Sequence, residues 1–155
     1  MKRCGVEDIE DVHRILKHPD IWGVITDDGA CSKEEFDMTE VLKNDKVYVL
    51  LPEENILFLF FPVNAITWDI HINALRDSRG EKARQATMDV VKYMFTQTRC
   101  QKLIAYIAEI FPNVISHAIR CGFGQEGCLI GSYLKNGHIY NQHILGITKT
   151  EFHGL

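Results

Sequence analysis

The chain has 155 residues, 46% hydrophobic and 25% charged, with a formal net charge of −4. These values fit one domain, residues 1–155, with a substantial core and no need of a disulfide or structural metal. The negative balance excludes a general nucleic-acid-binding surface, although a local basic patch is compatible with it.

The longest purely apolar run, Ile56–Phe61, falls far short of the ~20 residues that span a membrane. Met1, Lys2 and Arg3 lead into Glu7, Asp8, Glu10 and Asp11 rather than an apolar signal region, so a cytoplasmic protein is expected. The five cysteines, Cys4, Cys31, Cys100, Cys121 and Cys128, form no C-x-x-C pair and read as reduced, mostly core-filling residues. The seven histidines show no metal-binding spacing, and no metal site is expected.

In chain order, residues 3–6 read as a short strand and residues 7–17 as a helix. Ile9, Val12, Ile15 and Leu16 share one helical face, and acidic residues crowd the first turn. His18-Pro19 is expected to end that helix. Residues 20–29 fit a short helix or an ordered loop, closed by the turn Asp27-Asp28-Gly29. Ser32 and Glu35 have capping-box spacing in a polar, ambiguous stretch.

Three strands are predicted next. Val47–Leu51 and Ile56–Phe61 flank a turn at Pro52–Asn55, and the second is apolar enough to be buried on both faces. Ile66–Leu75 alternates, with Trp68, Ile70, Ile72 and Ala74 on one face and Thr67, Asp69, His71 and Asn73 on the other. Residues 80–97 form the longest helix, with an apolar stripe of Ala83, Ala86, Val90 and Met94. A strand over Lys102–Ala108 and a short helix over Asn113–Cys121 follow, with Gly122 at the left-handed helix end. Two strands, about Gly127–Leu134 and Ile139–Thr148, close the chain around Asn136-Gly137, a strong hairpin signal. This order argues for a mixed α/β sheet with helices on both faces.

The polar-faced strand running into Arg79-Gly80 and a long helix, the later Gly122-Phe123, and the closing hairpin over Gly137–Gly146 together resemble the GNAT superfamily of N-acetyltransferases. The resemblance covers most of the chain and is weakest over residues 20–45. In appearance it is nearest to phage-encoded GNAT-like proteins, some of which are head-assembly or internal virion components. It implies a mostly antiparallel, splayed sheet of about six to seven strands. It also implies acetyl-CoA as cosubstrate, with a primary amine of a small molecule or protein as acceptor. By the same resemblance Asn73, Leu75, Arg79, Gly80, Lys82, Ala83, Arg84 and Asn113 are cofactor-binding positions. Asp69 and His71, on the strand's polar face, are the catalytic candidates, a histidine being suited to proton transfer near neutral pH. A homodimer is compatible with the family. In the non-enzymatic alternative the chain acts in the virion among virion proteins.

The chain departs from the family pattern in two places. Lys82 and Arg84 stand where the phosphate-binding loop has small residues, and side chains there cost room for the phosphates. The loop is net basic: Arg76, Arg79, Lys82 and Arg84 against Asp77 and Glu81. Ser78 and Glu81 also have capping-box spacing, and such a box would occupy the N–H groups that a phosphate needs. Second, Ala118 replaces the tyrosine that serves the family as general acid, leaving Tyr133, Tyr140, His117 and His143 as substitutes. Asn113 is open to a second role, as the cap of the short helix. Trp68 reads as core, and Trp22 with its neighbouring loop as part of an acceptor site.

Overall fold

The computed structural model describes residues 1–155. Its elements are β1 (Lys2–Arg3), a 3-10 turn (Val6–Asp8), α1 (Ile9–Leu16), α2 (Pro19–Ile25) and α3 (Thr39–Lys43). There follow β2 (Tyr48–Glu53), β3 (Ile56–Pro62), β4 (Thr67–Ala74), a 3-10 turn (Arg76–Ser78) and α4 (Glu81–Gln97). The chain closes with β5 (Lys102–Ala108), α5 (Pro112–Arg120), β6 (Gly124–Lys135), β7 (His138–Thr148) and α6 (Lys149–His153). No helix is long and apolar enough to cross a membrane.

The expected α/β architecture is present. Seven strands form one sheet in the order β1-β2-β3-β4-β5-β7-β6, and only the β4–β5 pair is parallel. β3 lies inside the sheet, and Ile56 through Phe60 are all buried, as their unbroken apolar run requires. Alternate residues of β3 feed two cores. Phe58 and Phe60 pack with Trp68, Ile70 and the α4 residues Val90, Val91, Met94 and Phe95 on one face. Leu57 and Leu59 meet Val12, Ile15 and Leu16 of α1 and Ile21 of α2 on the other. Helices therefore cover both faces, and Trp68 is core, donating its indole N–H to the Lys46 carbonyl at 3.1 Å.

Local expectations fail at several turns. The opening strand ends at Arg3 because a 3-10 turn intervenes before α1. His18-Pro19 begins a helix as well as ending one: proline at the first position loses no hydrogen bond, and the His18 ring accepts the Asp20 N–H at 3.1 Å. The Ser32–Glu35 box forms, but it closes only a turn. Thr148 and Glu151 make a full capping box that opens α6, an element the strand reading passed over. Cys31 and Cys128 are exposed, so only three of the five cysteines are core residues.

The β6–β7 hairpin turns on Asn136 and Gly137, both at positive φ (53° and 75°), as a two-residue loop demands. Its tip is tied to the segment after α2. The Asp28 carboxylate accepts the N–H groups of Asn136 and Gly137, each at 2.8 Å. The Asp28 N–H donates to Leu134, and the Lys135 ammonium donates to the carbonyls of Gly23 and Thr26.

Two consequences are measurable. Phe58→Ala, which empties a fully buried site, is expected to lower unfolding free energy by about 3–5 kcal/mol in urea titration. The Gly137 and Asn136 N–H groups hold the Asp28 carboxyl below its usual range. The clamp is therefore complete above the ordinary carboxylate pKa and weakens as pH falls through the depressed one. Amide exchange at Asn136 and Gly137 is expected to be faster in Asp28→Ala at neutral pH, whereas unchanged protection would show that the carboxylate does not hold the tip.

Candidate active site

Each of β4 and β5 is held along its length by its outer neighbour. β4 pairs with β3 from Trp68 to Ala74, and β5 with β7 from Lys102 to Ala108. To each other they pair only at Thr67–Lys102, Trp68–Leu103 and Asp69–Ile104. Beyond these residues the strands diverge, and the inner edges of both lack a strand partner. A cleft of about 490 Å³ occupies the gap, lined on β4 by residues 69–73 and on β5 by residues 105–108.

The polar face of β4 delivers side chains to this cleft. The Asp69 Oδ2 lies 2.9 Å from His71 Nε2. A carboxylate only accepts, so Nε2 carries a proton, and it is Nδ1 that bears the lone pair whenever the ring is neutral. Asp69 Oδ1 is buried and has no hydrogen-bond partner. Asn73, only 1% exposed, donates weakly to the Leu57 carbonyl at 3.4 Å, and its Oδ1 is likewise unpartnered. Two buried oxygens without donors are costly, and they mark positions where a ligand's N–H groups would be welcome.

The start of α4 lies at a second cavity, of about 650 Å³, which shares seven lining residues with the cleft, Val24, Ile25, Asn73, Phe111 and His117 among them. The helix has no side-chain cap. Ser78 is buried and forms no box with Glu81, so the capping reading of that pair is overturned. The first helical bond runs from Arg84 N–H to the Gly80 carbonyl, leaving the N–H groups of Glu81, Lys82 and Ala83 without acceptors. Gly80 takes φ 77°, ψ −135°, a conformation open to glycine alone at low cost. The uncapped turn is a ready anion site.

The predicted cofactor residues separate into two groups. Asn73, Arg79, Gly80, Ala83 and Asn113 line the cavity at α4. Arg79 is already engaged there, donating to the carbonyls of Ala74 and Asp20 at 3.0 and 3.1 Å. Leu75, Lys82 and Arg84 line neither cavity. Leu75 packs on the α1 core, Lys82 pairs with Glu53 at 3.3 Å, and Arg84 is bound by Glu81 at 2.8 Å. The bulk at positions 82 and 84 therefore does not fill the site, and their charges are not aimed at it. Asn113 does not cap α5: the cap is Phe111, with no side-chain bond. Arg120, which pairs with no carboxylate, is the free cation on the cavity wall. Its place in the last turn before Cys121-Gly122 was the sequence signal for it.

α5 ends as its glycine predicts. Gly122 takes φ 90°, the Phe123 N–H donates to Ala118 and the Gly122 N–H to Ile119. This places the Ala118 methyl and His117 in the cleft. Thr87 donates to the Ala83 carbonyl at 2.8 Å and so accepts from His117 Nε2 at 2.9 Å. Burial, then the charges of Arg120 and Arg84, lowers the His117 pKa, so its ring is neutral. Of the other substitute acids, Tyr133 lines the cleft, whereas Tyr140 and His143 line neither cavity. Burial, then Asp27 and Asp28, raises the Tyr133 pKa and keeps its phenol protonated. Tyr106 also lines the cleft. The lone phenol in the otherwise apolar centre of β5 was its signal. Trp22 turns away, edge-on to Phe36 at 5.2 Å, while its neighbours Val24 and Ile25 form cleft wall.

No protein-family model matches the chain, and no curated protein sequence matches it either. Solved structures do. A chimera of spermidine N-acetyltransferase from Vibrio cholerae and hSSAT superposes with a TM-score of 0.81 over 99% of this chain and 97% of its own, at 16% identity. Spermidine N-acetyltransferase from Vibrio cholerae in complex with CoA and spermine gives a TM-score of 0.80 over 97% and 95%, also at 16% identity. At such identities the likeness speaks for architecture, and the chain has the GNAT acetyltransferase fold.

Proposed function

We propose that the protein is an acetyl-CoA-dependent N-acetyltransferase acting on a primary amine. The observation that carries this reading is the cleft between β4 and β5, which joins an uncapped helix N-terminus to an aspartate–histidine pair. The residues fit the cosubstrate. The free N–H groups of Glu81, Lys82 and Ala83, with Arg120 on the same wall, suit a diphosphate. The unpaired inner edges of β4 and β5, with Asn73 Oδ1, suit an amide-bearing arm.

Acetyl-CoA supplies an activated acyl group: a C–N bond forms to the amine as the C–S bond breaks, releasing CoA thiol and one proton overall. The chain's residues manage the protons. Asp69 Oδ1 accepts from the entering ammonium, and His71 Nδ1 takes the proton that frees its lone pair. Asp69 Oδ2 then faces an imidazolium, which it stabilises. Tyr133, held protonated and donating to the Thr26 carbonyl at 3.4 Å, turns its proton to the departing thiolate and regains one as the amine nitrogen sheds its second proton. The Ala118 methyl in place of a phenol leaves that role to the opposite wall.

The Ala118 methyl also favours a second reading, a GNAT-shaped binding or virion-assembly protein without turnover. Ile130 and Ile139, exposed on the β6–β7 hairpin, support a homodimer under either reading.

Calorimetry with acetyl-CoA, followed by thiol-release assays over an amine panel, tests the proposal. Micromolar-to-millimolar binding with turnover is expected. His71→Ala is expected to lower kcat by roughly 10²–10⁴-fold, the usual worth of a general base. Tyr133→Phe should lower kcat more than KM, with Tyr106→Phe as the control. No binding at millimolar acetyl-CoA would sink the enzyme reading; binding without thiol release would favour the second.

A further inference from the structure

The acceptor cleft differs in chemistry from what a polycation needs. Fourteen of its twenty lining residues are hydrophobic; those on β4 and β5 flank the cosubstrate's arm, and Val24, Ile25, Phe111, Leu129 and Tyr133 are left to the body of the acceptor. Asp69 is the sole carboxylate among them, and no lysine or arginine lines the cleft. Its Oδ2 is committed to His71, which leaves one buried, unpartnered oxygen, Oδ1. The cleft thus offers full compensation for a single ammonium.

The walls beyond that point are apolar. Val24 and Ile25 of α2 face Leu129 and Tyr133 of β6, with Phe111 edge-on to Tyr133 at 6.3 Å. The carboxylates beside Tyr133 are Asp27 and Asp28. Asp28 is occupied by the Asn136 and Gly137 N–H groups; Asp27 accepts the Gly29 N–H through Oδ1 alone, and neither carboxylate lines the cleft. The clamp described above fixes the α2 side to the hairpin, so these walls are held in register. Val24, Ile25 and Leu129 are each 39% exposed, so a second ammonium along them would stay hydrated and meet no carboxylate of the cleft, whereas an apolar body would cover their bare hydrocarbon.

Resting on the acyltransfer reading, we propose that the acceptor is a monoamine with an apolar body, an alkylamine or aralkylamine, and not a polyamine. The transfer consumes the acceptor's one positive charge and yields a neutral amide, which the apolar walls tolerate.

The test is thiol-release kinetics of the full chain at saturating acetyl-CoA, with 2-phenylethylamine and hexylamine set against 1,5-diaminopentane and spermidine. Calorimetric titration of the same amines into the CoA-loaded protein gives a readout independent of turnover. The monoamines are expected to exceed spermidine in kcat/KM, and in affinity, by roughly tenfold or more. Equal or better use of spermidine would overturn the proposal while leaving the acyltransferase reading intact. Failure of acetyl-CoA to bind would overturn both. Where CoA binds without turnover, the affinity order decides alone, and no binding of the monoamines overturns the proposal. Leu129→Glu, at a part-exposed edge-strand position, adds a carboxylate to the wall. It is expected to shift the spermidine-to-phenylethylamine ratio toward spermidine by several-fold; an unchanged ratio would refute the placement of this wall.

Discussion

The parting of β4 from β5 is the constraint on which the rest of the molecule depends. Strand pairing is favourable, and two parallel neighbours with seven or more residues each would ordinarily zip along their length. Here they stop after three register pairs, while each stays paired with its outer neighbour along its length. The sheet twists away from itself, and the backbone groups of two inner edges are left facing a gap. Those groups are expensive to leave unmet inside a protein. A ligand with amides of its own, lying along the gap, would complete the sheet where no strand does.

The same economy is visible in the side chains. Asp69 and Asn73 put oxygens in buried positions without donors, although each residue's other polar atom is bonded. The α4 N-terminus retains three free N–H groups, although a serine and a glutamate stand at spacing that could have capped it. Unmet acceptors in the cleft and unmet donors at the helix start belong to two cavities that share lining residues, Asn73 among them. Native proteins keep few such groups, and where they cluster they are the signature of a surface shaped for something else.

Departures from the family pattern look different in three dimensions. Lys82 and Arg84 occupy positions that the motif reserves for small residues, and on paper they crowd a phosphate. On α4 their side chains leave the cavity for Glu53 and Glu81, because helical side chains lean back over the preceding turn and outward. Gly80 and Ala83, which line the cavity, leave the backbone of the turn accessible. Ala118 brings a methyl to the cleft where the family pattern has a phenol. A phenol on the same cleft, Tyr133, comes from the far end of the chain through the pairing of β6 with β7 and the clamp at Asp28.

Much of the architecture was legible residue by residue. The alternation of Trp68–Ala74, the unbroken apolar run of β3, the Asn136-Gly137 turn and the Gly122 helix end are local signals, and local physics suffices to read them. The signals that failed were those with two local meanings. Proline after His18 stops a helix or starts one, Ser32 with Glu35 caps a helix or a turn, and Ser78 with Glu81 caps nothing once Ser78 is buried. The pairing of Asp69 with His71 was readable too, since residues two apart on a strand share a face. Arg79 as a structural tie, Arg120 as the free cation, Tyr106 and Tyr133 as cleft walls, and Leu75 as core depend on contacts between residues far apart in sequence. The elements and the polar strand were written in local patterns; the parting of β4 from β5 emerged only in the folded chain, because pairing between residues as far apart as Trp68 and Leu103 is a non-local contact that no single segment encodes.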